Sequence, residues 1–400
     1  MTTTSTAPEA TTEPLPSLRD RLREGLAAEF RLAAVGVVLL IIWMFFFWRE
    51  PLFLSSNNLT NLALQTVVTG ILALGVTFVL FLGEIDLSVG ASSGVMAAVC
   101  GRLIVDGGMN VWLAILVAIL AGAAFGVIQS LVIVMGAPSF MVTLGASIAL
   151  SGLLLIALPE TGSIDLSQTA IRDLTLTFLT PATSWLLLVL VVAALWLLKG
   201  TERGPLRPAS MLQRGLLVRV VLMLVAGGLV VGYFNSSRGV PMAVLLTLVL
   251  YLVAWYVTTQ TSFGTAIFAV GGSRAASTRA GLKVERITIA CFAIAGALAA
   301  FAGIVAASRV LGVSNQSGGG DLLLQAIAAA VIGGTSLFGG RGSVWAALLG
   351  ALMIGSVSNG MDLLGLTTEV KLIVTGLILV VAVLLDALVA RGGLSTGRVG

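Results

Sequence analysis

Apolar stretches follow one another along this chain almost without pause, near 32–48, 61–82, 88–105, 111–135, 139–157, 183–199, 215–233, 240–257, 287–307, 322–339, 343–360 and 369–390. Each is close to the roughly 17–25 residues that a helix needs to cross a bilayer. Composition agrees: 58% of residues are hydrophobic, 10% are charged, and the mean hydropathy is +1.08. Soluble domains carry about 25% charged residues, so these charges are too few to cover a water-facing surface. Length alone would permit two or three soluble domains, but nothing outside the apolar runs is long enough to build one. The expected fold is all-α, a polytopic membrane protein of about ten to twelve transmembrane helices spanning 32–390. Because a lipid-facing backbone must satisfy its own hydrogen bonds, helices are the natural element for such runs.

The runs at 88–105 and 322–339 are short and glycine-rich, which predicts broken or re-entrant segments. Basic residues fix an orientation. If all twelve runs cross, only Arg49, Arg102, Arg172, Arg238, Arg309 and Lys371 of the 22 Lys and Arg fall outside. That bias marks the opposite set of loops, and both termini, as cytoplasmic in a bacterial inner membrane. Residues 1–17, rich in Thr, Pro, Ser and Ala, read as a disordered cytoplasmic tail rather than a signal peptide. Residues 18–31 space Leu18, Leu22 and Leu26 four apart among arginines, as an amphipathic helix lying on membrane lipid would. Residues 391–400 form a second cytoplasmic tail. The loop at 199–214 is a basic, proline-bearing connector, and 158–182 is the long outer loop.

Several chemistries are excluded or disfavoured. The chain has no histidine, which removes the commonest general base and metal ligand. Cys100 and Cys291 lie far apart in apolar runs, and no metal site is expected. None of Lys199, Lys283 and Lys371 follows the glycines of a phosphate-binding loop. The chain is expected to bind no cofactor itself and to be no enzyme, so ATP and Mg²⁺ would enter through a partner. A pI near 9.5 reports topology here rather than a nucleic-acid partner.

Four motifs carry polarity into this apolar background. In the loop 258–286, Gly271 and Gly272 break the chain and Ser273 can cap a short helix from Arg274 to Ala280. Gly281 then stands where a left-handed residue is wanted. Small residues Ala275 and Ala276 would admit a partner's groove, with Arg274 and Arg279 as orienting charge. The alternative is a surface helix that only touches anionic lipid. In GEIDLSVG (83–90), Glu84, Asp86 and Ser88 follow an apolar run. Ionisable groups at membrane depth tend to mark pathways, whereas at the surface Asp86 would be a helix cap. In GAPSFMVTLG (136–145), Ser139, Phe140 and Thr143 form either a re-entry turn or a tight helix connector. SNQSGGGDLLLQAIAAAVIGGTSLFGGRGS (314–343), with Asn315 and Asp321, is a bending or packing device. Glu84, Asp86, Ser88, Ser139, Phe140, Thr143, Asn315 and Asp321 are the candidate pathway residues.

GEIDLSVG and GGGDLLLQ (318–325) sit in corresponding places on opposite sides of the membrane. Segments 2–5 and 9–12 would then be inverted repeats; a chance match over so few residues is the alternative.

These four motifs, in order across residues 60–390, resemble the ribose/xylose/galactose permeases of bacterial ABC sugar importers. The extra material at 199–245 makes the chain similar to the xylose branch. The resemblance implies a monosaccharide permease, with D-xylose expected, working by alternating access. It implies three partners: a sugar-importer ATPase docked on Gly271–Gly281, a sugar-binding protein outside, and a second permease copy in a dimer. An ion-driven secondary transporter of a small polar solute, using Glu84 and Asp86, is the competing reading.

Overall fold

The computed structural model describes residues 35–200 and 209–395. The tail at 1–17 and the amphipathic helix expected at 18–31 lie outside them, as does 396–400. The main helices are α1 (Val35–Arg49), α2 (Ser56–Phe81), α3 (Val89–Val105), α4 (Val111–Val134) and α5 (Ser139–Ala157). Strand β1 (Ser163–Asp165) and a four-residue turn of helix, α6 (Asp173–Leu176), follow. Then come α7 (Pro181–Gly200), α8 (Ala209–Asn235), α9 (Met242–Gln260), α10 (Ser262–Gly272) and α11 (Arg274–Arg279). The chain ends with α12 (Val284–Val310), β2 (Gly312–Ser314), α13 (Gly320–Ile332), α14 (Val344–Leu363) and α15 (Thr368–Ser395). Among the described residues, six helices (α2, α4, α5, α9, α12 and α14) are long and apolar enough to cross a membrane, and α1 and α3 are shorter apolar helices. The chain is an all-α polytopic membrane protein.

Local chemistry sets the boundaries. Ser55 caps α2 by accepting from Asn58 N, and Asn110 caps α4 by accepting from Trp112 N. Pro138 and Pro241 precede α5 and α9. Leu311, at φ 58°, closes α12 in the left-handed region and turns the chain into β2. That strand pairs antiparallel with β1, joining the loop at 158–182 to the end of α12.

The two glycine-rich segments are short, as expected. The second stops at Ile332 rather than 339. A Cβ on Gly333 would lie 2.2 Å from the Ala346 carbonyl oxygen, and Gly334 adopts φ +89°. The loop 258–286 holds one helix more than the capping pattern suggested, α10, whose first turn is capped by Thr261.

Two long helices, α2 and α12, form the centre. Of the α2 span 94% is buried, against 17% of α5, whose outer face is left for lipid. Without a hydrophobic force between helices in lipid, close approach by small residues supplies the packing. Gly122 and Gly126 of α4 meet Gly296 and Phe292 of α12, where a Cβ on Gly126 would lie 2.1 Å from the Phe292 carbonyl oxygen.

The packing follows the two sets of four segments marked out as repeats. Helix α4 packs on α12 while α14 packs on α2; α3 lies on α12 while α13 lies on α2; α3 meets α5 as α13 meets α15. Each set of four therefore mirrors the other with its partners exchanged, which carries the symmetry much further than the short sequence match. The first turns of α3 meet the turn before α13. A Cβ on Gly94 would stand 2.2 Å from Ser317 O, and one on Gly318 2.2 Å from Gly90 O.

Candidate functional site

A cavity of about 370 Å³ opens among α2, α3, α12, α13 and α14, in the half of the bundle nearer β1 and β2. Its polar lining comes from Gln65 and Thr69 of α2, Ser93 of α3, Arg309 of α12, Ser358 and Asp362 of α14, and Asp321 and Gln325 of α13. Its apolar wall includes Val68, Ala97, Ala306 and Leu322, and its floor is the contact of Gly94 with Ser317 and Gly318. The size is at the small end of the range for small-molecule sites. Gln65 donates from Nε2 to Asp362 Oδ2 at 3.4 Å, and Lys371 at the start of α15 ion-pairs with Asp362. Gln65 Oε1 is buried and accepts no hydrogen bond from any described residue.

The segment 83–88 lies at the opposite end of α2. Asp86 is buried, and its Oδ1 accepts from Ser88 N at 2.8 Å and Ser88 Oγ at 2.6 Å, while Oδ2 accepts from Gln129 Nε2 of α4 at 3.2 Å. Buried polar groups are costly unless so satisfied. Two hydroxyls one turn apart on α5 hold the backbone beside it. Ser139 Oγ accepts from Ile85 N at 3.3 Å, and Thr143 Oγ1 accepts from Leu87 N at 3.1 Å and donates to Ile85 O at 3.2 Å. The motifs GEIDLSVG and GAPSFMVTLG, far apart in sequence, thus form one clasp.

At the same end α11 takes the expected shape. Ser273 Oγ accepts from Ala276 N at 3.2 Å, Ala280 closes the helix, and Gly281 follows at φ +82°. Ala275, Ala276 and Arg279 are exposed. Gly271 packs where a Cβ would stand 1.8 Å from Phe81 O, and Gly272 lies against Gly340. Gly340 N donates to Phe81 O at 3.0 Å, so the ends of α2 and α10 and the loop after α13 are locked together. Arg274 is engaged internally: it donates to Glu84 Oε1 at 2.6 Å and to Thr288 Oγ1 of α12 at 3.3 Å.

Of the residues singled out as a pathway, the cavity therefore takes in Asp321 alone. Glu84, Asp86, Ser88, Ser139 and Thr143 belong to the clasp and its link to α11. Phe140 is 46% exposed on α5, and Asn315 is exposed beyond β2. Sequence reasoning passed over Gln65, Gln129, Arg309 and Asp362. The available signal was a lone amide within an apolar run, or a charge at its end.

A family model described as branched-chain amino acid transport system / permease component matches residues 58–383. The chain belongs to this permease family. Its relatives include the xylose transport system permease protein XylH of Escherichia coli K12, 36% identical over 88% of this chain and 91% of that one. XylH of Haemophilus influenzae is 34% identical over 84% and 90%. The ribose import permease protein RbsC of E. coli K12 is 30% identical over 88% and 92%. The order of these identities agrees with the xylose branch expected from the insertion at 199–245. No solved structure matches this permease.

Proposed function

We propose that this permease is the membrane-spanning subunit of an ATP-driven monosaccharide importer, with D-xylose as its cargo. The observation that carries the reading is the division of labour along α2: a polar cavity at one end, and at the other an exposed capped helix ion-paired to the α2–α3 turn. The resemblance of α11 to a docking helix supplies the partner, an ATPase that hydrolyses Mg²⁺-ATP. The bias of basic residues places α11 and both termini in the cytoplasm. The cavity then faces outward, where a sugar-binding protein delivers its cargo, and a second copy completes a dimer.

In this reading, closure of the ATPase moves α11, and Arg274 carries the motion to Glu84. The clasp of Asp86 with Gln129 and of 85–87 with α5 passes it to the first repeat. Parting of Gly90 and Gly94 from Ser317 and Gly318 opens the cavity floor.

The test is ATP-driven D-[¹⁴C]xylose uptake into proteoliposomes holding permease and ATPase with the binding protein added outside. Co-purification of the ATPase is compared between wild type and Arg279→Glu. Arg279 is the suitable probe because Arg274 serves an internal contact. ATP-dependent uptake, with ATPase binding weakened at least tenfold in Arg279→Glu, is expected. Uptake that runs on an ion gradient without the ATPase would replace this reading with a secondary transporter.

A further inference from the structure

We infer that Arg309, Asp321 and Asp362 form an outer gate: three charges, parted in this structure, that come together to seal the cavity when the permease turns inward. The inference rests on the importer reading above, from which it takes the alternation and not the cargo.

The cavity lies where two groups of helices part. Helices α3 and α4 pack on α12, with α5 on α3 and α4, whereas α13 and α14 pack on α2, with α15 on α13. The groups touch along α2 and α12, where a Cβ on Gly75 would stand 3.3 Å from Ala295 O. Nearer the outer end, Gln65 and Thr69 of α2 and Ala306 and Arg309 of α12 line the cavity instead. Arg309 therefore belongs to one group, and Asp321 of α13 and Asp362 of α14 belong to the other.

The charges match across that cleft. Among the described residues these three are the charged lining of the cavity, and all three are exposed. Lys371 ion-pairs with Asp362 from the rim, which leaves Asp321 uncompensated on one wall and Arg309 on the other. Neither makes an ion pair or hydrogen bond with any described residue. In water that separation costs little. When the groups approach, water leaves, and burying either charge unpaired is expensive. Closing this end therefore requires the guanidinium to meet carboxylates, and its planar fork can bridge two of them. Lys371 and the approach of Gln65 Nε2 at 3.4 Å steady Asp362 without filling its lone pairs. An ion pair at the water-facing end stays weak enough to break in each cycle.

The inner end shows such a contact already made. Arg274 bridges Glu84, just after α2, to Thr288 of α12. One end is latched while the other is parted, which is the arrangement that alternation needs.

The experiment follows access to the cavity from outside. Ser358→Cys places a thiol on its wall, while the native Cys100 and Cys291 are both buried. Proteoliposomes holding the full permease–ATPase complex are loaded with Mg²⁺ and a non-hydrolysable ATP analogue, or with neither. A membrane-impermeant methanethiosulfonate is then added outside. Labelling should be about tenfold slower with the analogue, as a shift of the open population by that factor gives. In Arg309→Ala the two rates should come within about threefold of each other, because the closed state loses its ion pair. Comparing the two rates within each variant removes the effect of the altered charge on the reagent. Arg309→Glu should behave like Arg309→Ala, and Arg309→Glu with Asp321→Arg should regain part of the slowing. Retained ATPase co-purification shows that each variant is folded.

A wild-type charge set that labels equally fast in both states overturns the gate. So does Arg309→Ala with the full slowing intact. A charge-exchanged pair no better than Arg309→Glu alone removes Asp321 from the closing contact and overturns the gate as drawn. These outcomes leave the importer standing if the wild type still accumulates D-xylose on ATP. Failure of that uptake strikes the importer reading instead.

Discussion

Arg274 and Glu84 stand 190 positions apart in sequence, yet the guanidinium donates to the carboxylate at 2.6 Å. The pair joins the exposed helix α11 to the segment that links α2 to α3. Glu84 is 15% exposed at its side chain and Arg274 is 48% exposed, so water screens the attraction. Its value is therefore geometric: it ties α11 to the α2–α3 turn. Arg274, although half exposed on α11, thus also has a partner within the permease.

The coupling role predicts a specific defect. Arg274→Ala should keep the permease folded and the ATPase bound while lowering sugar uptake per ATP hydrolysed by about tenfold, on the order of one disrupted contact in the transport step. Glu84→Gln should do the same. The exchanged pair Arg274→Glu with Glu84→Arg should recover part of the loss, because the contact is remade with its sign reversed. Uptake and hydrolysis measured together in proteoliposomes decide the matter; a double variant no better than either single one defeats the coupling role.

Asp86 plays another part. Its two oxygens satisfy Ser88 N, Ser88 Oγ and Gln129 Nε2 in a buried place. Asp86→Ala strands those donors, and a buried unsatisfied group costs about 1–3 kcal/mol. Asp86→Asn keeps one acceptor oxygen and should cost less. Thermal unfolding in detergent should rank wild type above Asp86→Asn above Asp86→Ala. Equal melting temperatures would deny Asp86 this structural role.

Much of this was legible in the chain. Hydrophobic runs placed the main helices, with ends off by up to seven residues, because one long apolar stretch has few other fates in lipid. Capping chemistry gave α11, since Ser273 and Gly281 are local signals that no distant contact has to supply. The β1–β2 pairing was hidden, being three residues on each side with no period to read. The cavity was also hidden. Gln65, Arg309 and Asp362 come from three helices, and only the exchange of partners between the repeats brings them together. Glu84 and Asp86 drew attention because acidic groups near apolar runs usually mark function. Here one serves the link to α11 and the other a buried clasp.

Glycine offers the same lesson in a testable form. Gly126 and Gly145 are both helical glycines, indistinguishable by local sequence. A Cβ on Gly126 would stand 2.1 Å from Phe292 O, whereas one on Gly145 would meet nothing within 4 Å. Gly126→Ala should therefore cost about 1–3 kcal/mol by forcing α4 off α12. Gly145→Ala should be neutral or stabilise by about 0.5–1 kcal/mol, since alanine is the better helix former. Melting temperatures moving in opposite directions would confirm the contrast, and equal shifts would refute the close α4–α12 contact.

The floor of the cavity yields the sharpest separation of folding from transport. Gly318 adopts φ +72°, where a side chain costs roughly 1–2 kcal/mol in backbone strain, and its Cβ would also press on Gly90 O at 2.2 Å. Gly318→Ala should lower stability and uptake together. Gly94 is different: it sits within α3 and its φ is ordinary, so its added Cβ meets Ser317 O at 2.2 Å without local strain. Gly94→Ala should push α3 away from the turn at Ser317–Gly318. If their contact seals the cavity floor, the variant should leak D-xylose without ATP and lose most of its accumulation at steady state. A Gly94→Ala permease that stays sealed and accumulates sugar like wild type would show that the seal lies elsewhere along the path.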